Sequence, residues 1–119
     1  GFVEQDETIE VAVVREVEEE AGVTAEVRGV LGIRNRYDED GGNSIYVVML
    51  LNALSGEPNP DMTEVDRAEF FTLDEILAIE QIGAINVEVA KQALSAGHRI
   101  LCPQTIEQVG RGTYTLFLG

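Results

Sequence analysis

The chain has 119 residues, of which 22 are acidic and 8 are basic, so its formal net charge at pH 7 is −14. A chain of this length supports one hydrophobic core, and we expect a single domain over residues 1–119. A field of this sign repels nucleic acid and anionic membranes, so neither is an expected partner. The sequence has no apolar run of membrane-spanning length and no signal-peptide pattern, so we expect a cytoplasmic location.

Cysteine and histidine each occur once, as Cys102 and His98. A single cysteine excludes an intramolecular disulfide, and its setting between Leu101 and Pro103 favours a small packed side chain over a nucleophile. A single histidine excludes a multi-histidine metal site. It also leaves no obvious Ser–His or Cys–His pair for nucleophilic catalysis.

The first predicted element is a helix from Thr8 to Ala21, with Thr8 or Asp6 as its cap and Gly22 just beyond its end. At about 100° per residue, three carboxylates of its last two turns share one face with the apolar stripe; they are Glu16, Glu19 and Glu20. Mutual repulsion and the negative end of the helix dipole both disfavour three anions here. A bound Mg²⁺ or Mn²⁺ would remove both penalties, and a solvated acidic helix end is the alternative.

Residues 1–23 follow a longer pattern, G-x5-E-x7-R-E-U-x-E-E-x-G-U, in which U is a bulky aliphatic residue. Every position matches: the fixed residues are Gly1, Glu7, Arg15, Glu16, Glu19, Glu20 and Gly22, and Val17 and Val23 are aliphatic. This pattern resembles the signature of the Nudix hydrolases, metal-dependent enzymes that cleave pyrophosphate bonds. The resemblance implies an α/β fold, an α/β/α sandwich with a mixed sheet. It also implies a Mg²⁺ or Mn²⁺ site with Glu16, Glu19, Glu20 and Gly1.

Two other motif residues are counted with the catalytic group. By resemblance Arg15 pairs with Glu7, and a bidentate contact would hold the loop Gly1–Glu7 against the helix. Gly1 has to be glycine if its backbone approaches the metal or the substrate. The alternative is a surface ion pair and a flexible start of the chain.

The next segments predict a β-hairpin. Ala25–Tyr37 is extended in character and contains two glycines, which predicts a strand pair or one kinked strand. Asp38–Asn43 is a turn. Ser44–Leu54 is almost continuously apolar, as expected of a central strand that is covered on both faces.

The following segments predict a strand at Glu64–Phe71 and a helix that runs to about Ile82. The helix opens with a capping box of Thr72 and Glu75. A second helix is predicted from Asn86 to Ala96.

The tail, Ile100–Gly119, predicts a loop and a strand at Thr113–Leu118. In the Nudix family, strands precede the motif, whereas this chain begins at the first motif glycine, Gly1. We therefore expect a fragment of a longer product, or other elements in the place of those strands. We hypothesise that the tail strand, or the same strand of a second copy in a homodimer, pairs in the vacated part of the sheet.

Candidates for the chemistry also occur outside the motif. Glu64 matches the context in which many Nudix enzymes place a further metal-binding or base carboxylate, although an ordinary exposed glutamate fits as well. Arg34 and Arg36 alternate on one strand, so they could bind phosphate together or balance the acidic turn that follows. Tyr37 could stack on a base or pack in the core.

The resulting prediction is a metal-dependent hydrolase of a nucleoside diphosphate linked to another moiety, with ADP-ribose-like compounds as the leading substrates. Glu64 or one of the motif glutamates would take the proton from the attacking water. The rival hypothesis is a catalytically inactive Nudix-fold protein that binds or regulates, or an inactive fragment.

Overall fold

The computed structural model describes residues 1–95, 97, 99–108, 110 and 112–119, with Gln108 described by its backbone alone. His98 and Ala96, which figure in the sequence predictions, lie outside the described residues. The elements in chain order are α1 Ile9–Ala21, β1 Thr24–Asp38, β2 Gly42–Ser55, α2 Leu73–Leu77, α3 Ala84–Leu94, β3 Cys102–Gln108 and β4 Gly112–Leu118. This combination of helices and antiparallel strands confirms the α/β class.

Helix α1 begins and ends where the sequence predicts. Thr8 has an extended backbone, and its hydroxyl oxygen accepts the N–H of Val11 at 3.3 Å, which caps the first turn. Gly22 ends the helix with a left-handed φ of 72°, and its N–H donates to the Glu18 carbonyl at 3.0 Å. Glycine adopts this conformation without the strain that a Cβ would bring, so the motif glycine fixes where the helix stops.

Strands β1 and β2 form one antiparallel hairpin around a turn at residues 39–41. The register shifts three times along β1, between Thr24 and Ala25, immediately before Gly29 and immediately before Gly32. The two shifts next to glycines are bulges, and glycine tolerates the local bend. The alternative of one kinked strand is therefore the one that the structure adopts.

Strand β2 is not the covered central strand that its apolar sequence predicts. The described strands form two sheets of two strands each, β1–β2 and β3–β4, and their pairing is antiparallel where a mixed sheet was expected. Ile45 and Val47 in β2 are 68% and 41% exposed. The apolar sequence of β2 favours burial. Within the described residues, however, only one edge of β2 is paired with another strand, which is β1.

The C-terminal strands pair with each other. Strand β4 lies antiparallel to β3 along its whole length, from Leu118 opposite Cys102 to Gly112 opposite Gln108. The prediction that the tail strand fills the vacated part of the first sheet is therefore wrong within the chain. The reason is that residues 102–108, expected to be a loop, offer a nearer partner. Cys102 is exposed rather than packed, because this hairpin leaves it uncovered.

Within the residues that the structure describes, one isolated bridge joins the two hairpins. Val30 and Leu101 exchange backbone hydrogen bonds, each 2.9 Å long. Val30 is also buried. The buried apolar side chains among the described residues are those of Ala12, Val23, Ala25 and Val30. The small core therefore lies where α1, β1 and this bridge meet.

Two predictions between residues 64 and 82 are corrected. Residues 64–71 form no strand. The Asp61 carboxylate accepts the backbone N–H groups of residues 63, 64 and 65, and this turn bends the chain where the strand was expected to begin. The capping box of Thr72 and Glu75 is present, but the helix ends at Leu77. Gln81 has a φ of 62°, which a continuous right-handed helix excludes.

Candidate metal and catalytic site

Arg15 fastens the N-terminal segment to α1. Its Nε and Nη2 donate to the two carboxylate oxygens of Glu7 at 3.0 and 2.7 Å, which is bidentate geometry. Nη2 also donates to the carbonyl of Phe2 at 3.2 Å, and the Glu7 carboxylate accepts the N–H of Glu4 at 2.8 Å. The hydrogen bonds from Arg15, and next that from Glu4, lower the pKa of Glu7. The Arg15–Glu7 pairing implied by the resemblance is thus present.

The same guanidinium reaches the carboxylates of α1. Nη1 of Arg15 lies 3.3 Å from Oε1 of Glu16 and 3.0 Å from Oε2 of Glu19. On the other side of Glu16 lies Gly1, and a Cβ added there would overlap the Glu16 carboxylate. Gly1 therefore has to be glycine in this arrangement, and the start of the chain lies directly against the acidic face of α1.

Three carboxylates meet at the end of α1. One oxygen each from Glu16, Glu20 and Glu64 lies within 4.8 Å of the others. Glu16 and Glu20 are half-buried and stand one helical turn apart, so α1 places them on one face, whereas Glu64 comes from the loop after β2. Hydrogen bonding to Glu64, then to Glu16, and burial raise the pKa of Glu20 to about 7. Such a set of hard oxygen donors fits Mg²⁺ or Mn²⁺.

The loop after β2 carries Glu64 to this place by docking on the end of α1. The N–H of Asn59 donates to the Ala21 carbonyl at 2.7 Å, and the N–H of Asp61 donates to the Glu20 carbonyl at 3.0 Å. These two carbonyls belong to the last turn, which has no partners for them within the helix. The loop therefore caps α1 and is positioned beside its acidic face.

Asp61 then directs the chain so that Glu64 faces Glu20. Its Oδ1 accepts the backbone N–H groups of residues 63, 64 and 65 at 3.0, 3.1 and 2.9 Å. These bonds lower the pKa of Asp61, the one from Val65 most strongly. This role of Asp61 was not predicted from the sequence, although an Asp within a loop rich in Pro and Asn is a typical start of an Asx turn.

Glu19 lies apart from this cluster of three. Its side chain is 59% exposed, and its carboxylate accepts a hydrogen bond from Nη1 of Arg15. Among the residues that the structure describes, the group that could hold a metal ion is Glu16, Glu20 and Glu64. Glu64, the candidate taken from local context alone, is therefore part of the cluster, while Glu19 is directed to Arg15.

The structure does not bring the two candidate arginines to the cluster. Arg34 pairs with Tyr46 across the hairpin, and alternation puts both side chains on the face of the hairpin opposite to Val47 and Met49. Tyr46 is among the residues that line the cleft beside Glu16, whereas Arg34 is not. The Arg34 guanidinium stacks on the Tyr46 ring, 3.6 Å from its centroid. Arg36 shares that face.

Arg36 and Tyr37, which lie near the turn of the hairpin, are exposed to solvent. Nη2 of Arg36 lies 3.0 Å from Oδ2 of Asp38, so Arg36 balances the acidic turn, as one of the two interpretations held. Tyr37 is 72% exposed, which excludes a core position for it. It remains free to contact a ligand.

A cleft of about 370 Å³ adjoins the cluster at Glu16. The segment 1–3 and α1 form its walls. Strand β2 forms a mostly apolar floor with Ser44, Ile45, Tyr46, Val47 and Met49. Small-molecule sites combine an apolar cavity of this order of size with a few polar groups at one end. This cleft, with Glu16 at its edge, has that composition.

Comparison with known proteins identifies the family. The family model described as NUDIX domain matches residues 1–92. The chain is 40% identical over 77 residues to an ADP-ribose pyrophosphatase of Methanocaldococcus jannaschii, covering 64% of this chain and 45% of the relative. It is 34% identical over 97 residues to the NAD-capped RNA hydrolase NudC of Vibrio parahaemolyticus, covering 80% and 35%.

A third relative is the Homo sapiens protein named nucleoside diphosphate-linked moiety X motif 6, 32% identical over 97 residues, covering 79% of this chain and 31% of the relative. The chain thus spans less than half the length of each of these relatives. The match over most of the chain shows that it belongs to the Nudix family. Within the described residues, no helix is both long and apolar enough to cross a membrane.

Replacing Asp61 with alanine is expected to reduce hydrolysis roughly tenfold to a hundredfold, the range for partners that orient a metal ligand. The change removes the acceptor of three N–H groups, so the backbone that holds Glu64 beside Glu20 loses its turn. Activity and melting temperature are measured together. Asp61→Asn keeps an acceptor oxygen and should retain more activity, and equal activity of Asp61→Ala and the parent chain would contradict the positioning role.

Proposed function

We propose that this member of the Nudix family is a Mg²⁺- or Mn²⁺-dependent hydrolase that cleaves the pyrophosphate bond of a nucleoside diphosphate linked to another moiety. The observation that carries the proposal is the meeting of Glu16, Glu20 and Glu64 from two separate elements. Like charges repel, so three adjacent carboxylates favour a bound cation. The pKa of Glu20 is raised first by hydrogen bonding to Glu64 and to Glu16, which shows how closely the three groups meet. A bound divalent cation would neutralise pyrophosphate oxygens and polarise the attacking water.

Each residue of the site has a proposed role. Glu16 and Glu20 supply metal ligands from α1, and Glu64 supplies one from the loop. Glu19 joins them only by giving up its hydrogen bond to Arg15, so it is the more peripheral ligand. Glu64 or one of the α1 glutamates takes the proton from the attacking water.

The two remaining motif contacts position the site. Arg15 and Glu7 lock the first segment against α1 through their bidentate contact. Gly1 lets the backbone lie against Glu16, where a metal or a phosphate would approach. Neither Arg15 nor Glu7 needs to touch the substrate for this role.

The first substrate that we propose is ADP-ribose, because the archaeal relative is named an ADP-ribose pyrophosphatase. The apolar floor of the cleft suits a nucleoside, and the acidic end at Glu16 suits a pyrophosphate that is screened by metal. The Vibrio relative is named for NAD-capped RNA, but a net charge of −14 opposes binding of a long polyanion. We place the pyrophosphate at the carboxylates and not at Arg34 and Arg36, while Tyr37 stays a candidate for a distal contact.

The test is an assay of the 119-residue chain on ADP-ribose, NAD and NAD-capped RNA, with Mg²⁺, with Mn²⁺ and with EDTA. We expect release of AMP and ribose phosphate from ADP-ribose with either metal and none with EDTA. Calorimetric titration with Mn²⁺ is run on the same protein. Metal binding without hydrolysis of any compound would favour the non-catalytic alternative, and absence of both would remove the metal site.

A further inference from the structure

The loop that carries Glu64 begins with a close backbone contact. Gly56, which directly follows β2, has a φ of 94°, a conformation that residues with a Cβ rarely adopt. A Cβ added to Gly56 would lie 2.5 Å from the carbonyl oxygen of Gly22 and 3.4 Å from Cα of Val23. A carbon and an oxygen that are not bonded do not approach as closely as the first of these distances. Backbone conformation and space therefore each require glycine at position 56.

The helix side of this contact is also a glycine. Gly22 ends α1, and a Cβ added to it would lie 3.2 Å from Cβ of Asn59 and 3.4 Å from the carbonyl oxygen of Glu57. These distances are at or below the lower limit of comfortable contact. The motif glycine therefore leaves room for the loop in addition to ending the helix. We call Gly22 and Gly56 together the glycine seat.

Two hydrogen bonds fix the loop just beyond the glycine seat. The N–H of Asn59 donates to the Ala21 carbonyl at 2.7 Å, and the N–H of Asp61 donates to the Glu20 carbonyl at 3.0 Å. Both acceptors belong to the turn of α1 that Gly22 ends. The loop is thus held on α1 at three places, and Gly56 makes the first of these contacts.

The rest of the loop has little freedom to absorb a shift. Met62 has a φ of 62°, and its N–H donates to the Val65 carbonyl at 2.8 Å. The Asp61 carboxylate accepts the N–H groups of residues 63, 64 and 65. A residue other than glycine keeps a positive φ only where the surrounding contacts impose it, so residues 61–65 form a tight turn. A displacement at the start of the loop would therefore reach Glu64.

We propose that Gly56 is a positioning residue of the carboxylate cluster at the end of α1. Its contact with Gly22 sets how closely the loop lies on the helix, and so whether Glu64 reaches the other two carboxylates. A Cβ at position 56 would have to move from 2.5 Å to about 3.4 Å from the Gly22 oxygen. A misplacement of roughly 1 Å, even far from the chemistry, can cost about a hundredfold in rate. The expected effects on metal binding and activity rest on the proposed function, whereas the effect on loop docking does not.

A positioning role and a purely structural role predict different results for Gly56→Ala. If Gly56 served the fold alone, the variant would have a lower melting temperature, and the folded protein would bind Mn²⁺ as before. If Gly56 positions Glu64, calorimetry should show Mn²⁺ binding at least about tenfold weaker, the lower end for residues that orient a metal ligand. The kcat for ADP-ribose should also fall. The KM should change less, because the cleft is lined by the segment 1–3, α1 and β2 and not by this loop.

Gly42→Ala is the matched control. Gly42 has a φ of 79°, but a Cβ added to it would meet nothing within 4 Å. Both variants place alanine at a positive φ, so both should lose some stability, whereas only Gly56→Ala forces two backbones apart. Gly42→Ala should bind Mn²⁺ as the parent chain does. Circular dichroism checks that both variants fold, and global unfolding of Gly56→Ala would assign Gly56 to the fold alone and overturn the proposal.

A double variant tests whether Gly56 acts through Glu64. Glu64→Gln removes the carboxylate that the loop brings to the cluster. Adding Gly56→Ala to Glu64→Gln should therefore change the affinity for Mn²⁺ by less than about twofold. If the losses of the two single variants add in full, Gly56 acts by another route and the proposal is overturned.

Hydrogen exchange of the metal-free protein tests the loop docking by itself. In the parent chain the amides of Asn59 and Asp61 should be protected by their hydrogen bonds to α1. In Gly56→Ala these two amides should exchange faster, while the amides within α1 stay protected. Equal protection in Gly56→Ala and the parent chain would overturn the proposal, whether or not metal binds.

The same measurements separate this proposal from the proposed function. If the parent chain binds no Mn²⁺, the proposed function fails, and hydrogen exchange still decides whether Gly56 seats the loop. If the parent chain binds Mn²⁺ and hydrolyses ADP-ribose, and Gly56→Ala matches it in both, the positioning role fails and the proposed function stands.

Discussion

Replacing Glu20 with glutamine is expected to reduce metal-dependent hydrolysis by at least roughly a hundredfold, the lower end for loss of a group that ligates or transfers a proton. Glu20 lies between Glu16 and Glu64, and both form hydrogen bonds with it. Glutamine keeps the shape and one carbonyl oxygen but removes the charge. The rate of ADP-ribose cleavage at saturating Mn²⁺ is the measurement.

The same variant should change how stability depends on pH. In the metal-free protein the pKa of Glu20 is raised from 4.5 to about 7, so between these values the folded state binds more protons than the unfolded state. The contribution of this group to stability is full below about pH 4.5 and is lost as the pH rises through about 7. The melting temperature in EDTA should therefore fall between pH 5.5 and 7.5 more steeply for the parent chain than for Glu20→Gln.

Binding of a divalent metal ion should restore the stability that the folded state loses as the pH rises. A metal ion binds the ionised carboxylates of the folded state, so millimolar Mg²⁺ should raise the melting temperature of the parent chain more at pH 7.5 than at pH 5.5. Glu18→Gln is the matched control, because Glu18 is an exposed residue of α1 outside the cluster. If Glu18→Gln and Glu20→Gln have the same activity and the same pH profile, the cluster is not the catalytic site.

Local sequence signals predicted the part of the site that lies on α1. Thr8 and Gly22 fix the helix ends through hydrogen bonds and conformations that depend on near neighbours alone. Once those ends are fixed, helical geometry places Glu16 and Glu20 on one face. The capping box at Thr72 was predictable for the same reason.

The position of Glu64 was not predictable from spacing. It depends on a loop that pairs with the carbonyls of Ala21 and Glu20, more than 35 residues earlier, and on the turn made by Asp61. The same turn removed the expected strand over residues 64–71, because backbone N–H groups bonded to Asp61 are not available to a neighbouring strand.

Sequence patterns also could not predict what covers β2 or which segment pairs with β4. The apolar character of β2 predicts burial but does not identify what covers the strand, and in the described structure Ile45 remains mostly exposed. The C-terminal hairpin depends on which segment lies nearest to β4, a property of the folded chain. The β3 segment was therefore missed, while the strand character of β4 was correctly predicted.

Replacing Arg15 with alanine is expected to lower both the melting temperature and the activity. Arg15 contacts four carboxylates, those of Glu4, Glu7, Glu16 and Glu19. Its removal leaves Glu7, whose side chain is 9% exposed, without its bidentate partner, and releases the segment that places Gly1 against Glu16. We expect a fall of several degrees in the melting temperature and a loss of activity of roughly tenfold to a hundredfold.

Two further variants test whether loss of the bidentate contact causes the lower stability and activity of Arg15→Ala. Arg15→Lys keeps the positive charge but not the planar fork, so it should recover part of the stability while activity stays low. In the double variant with Glu7→Gln, the orphaned carboxylate is absent, so the melting temperature should be higher than with Arg15→Ala alone. Activity should not recover in that double variant, because the first segment is still released from α1. Parent-like activity in Arg15→Ala would show that the bidentate contact does not position the site.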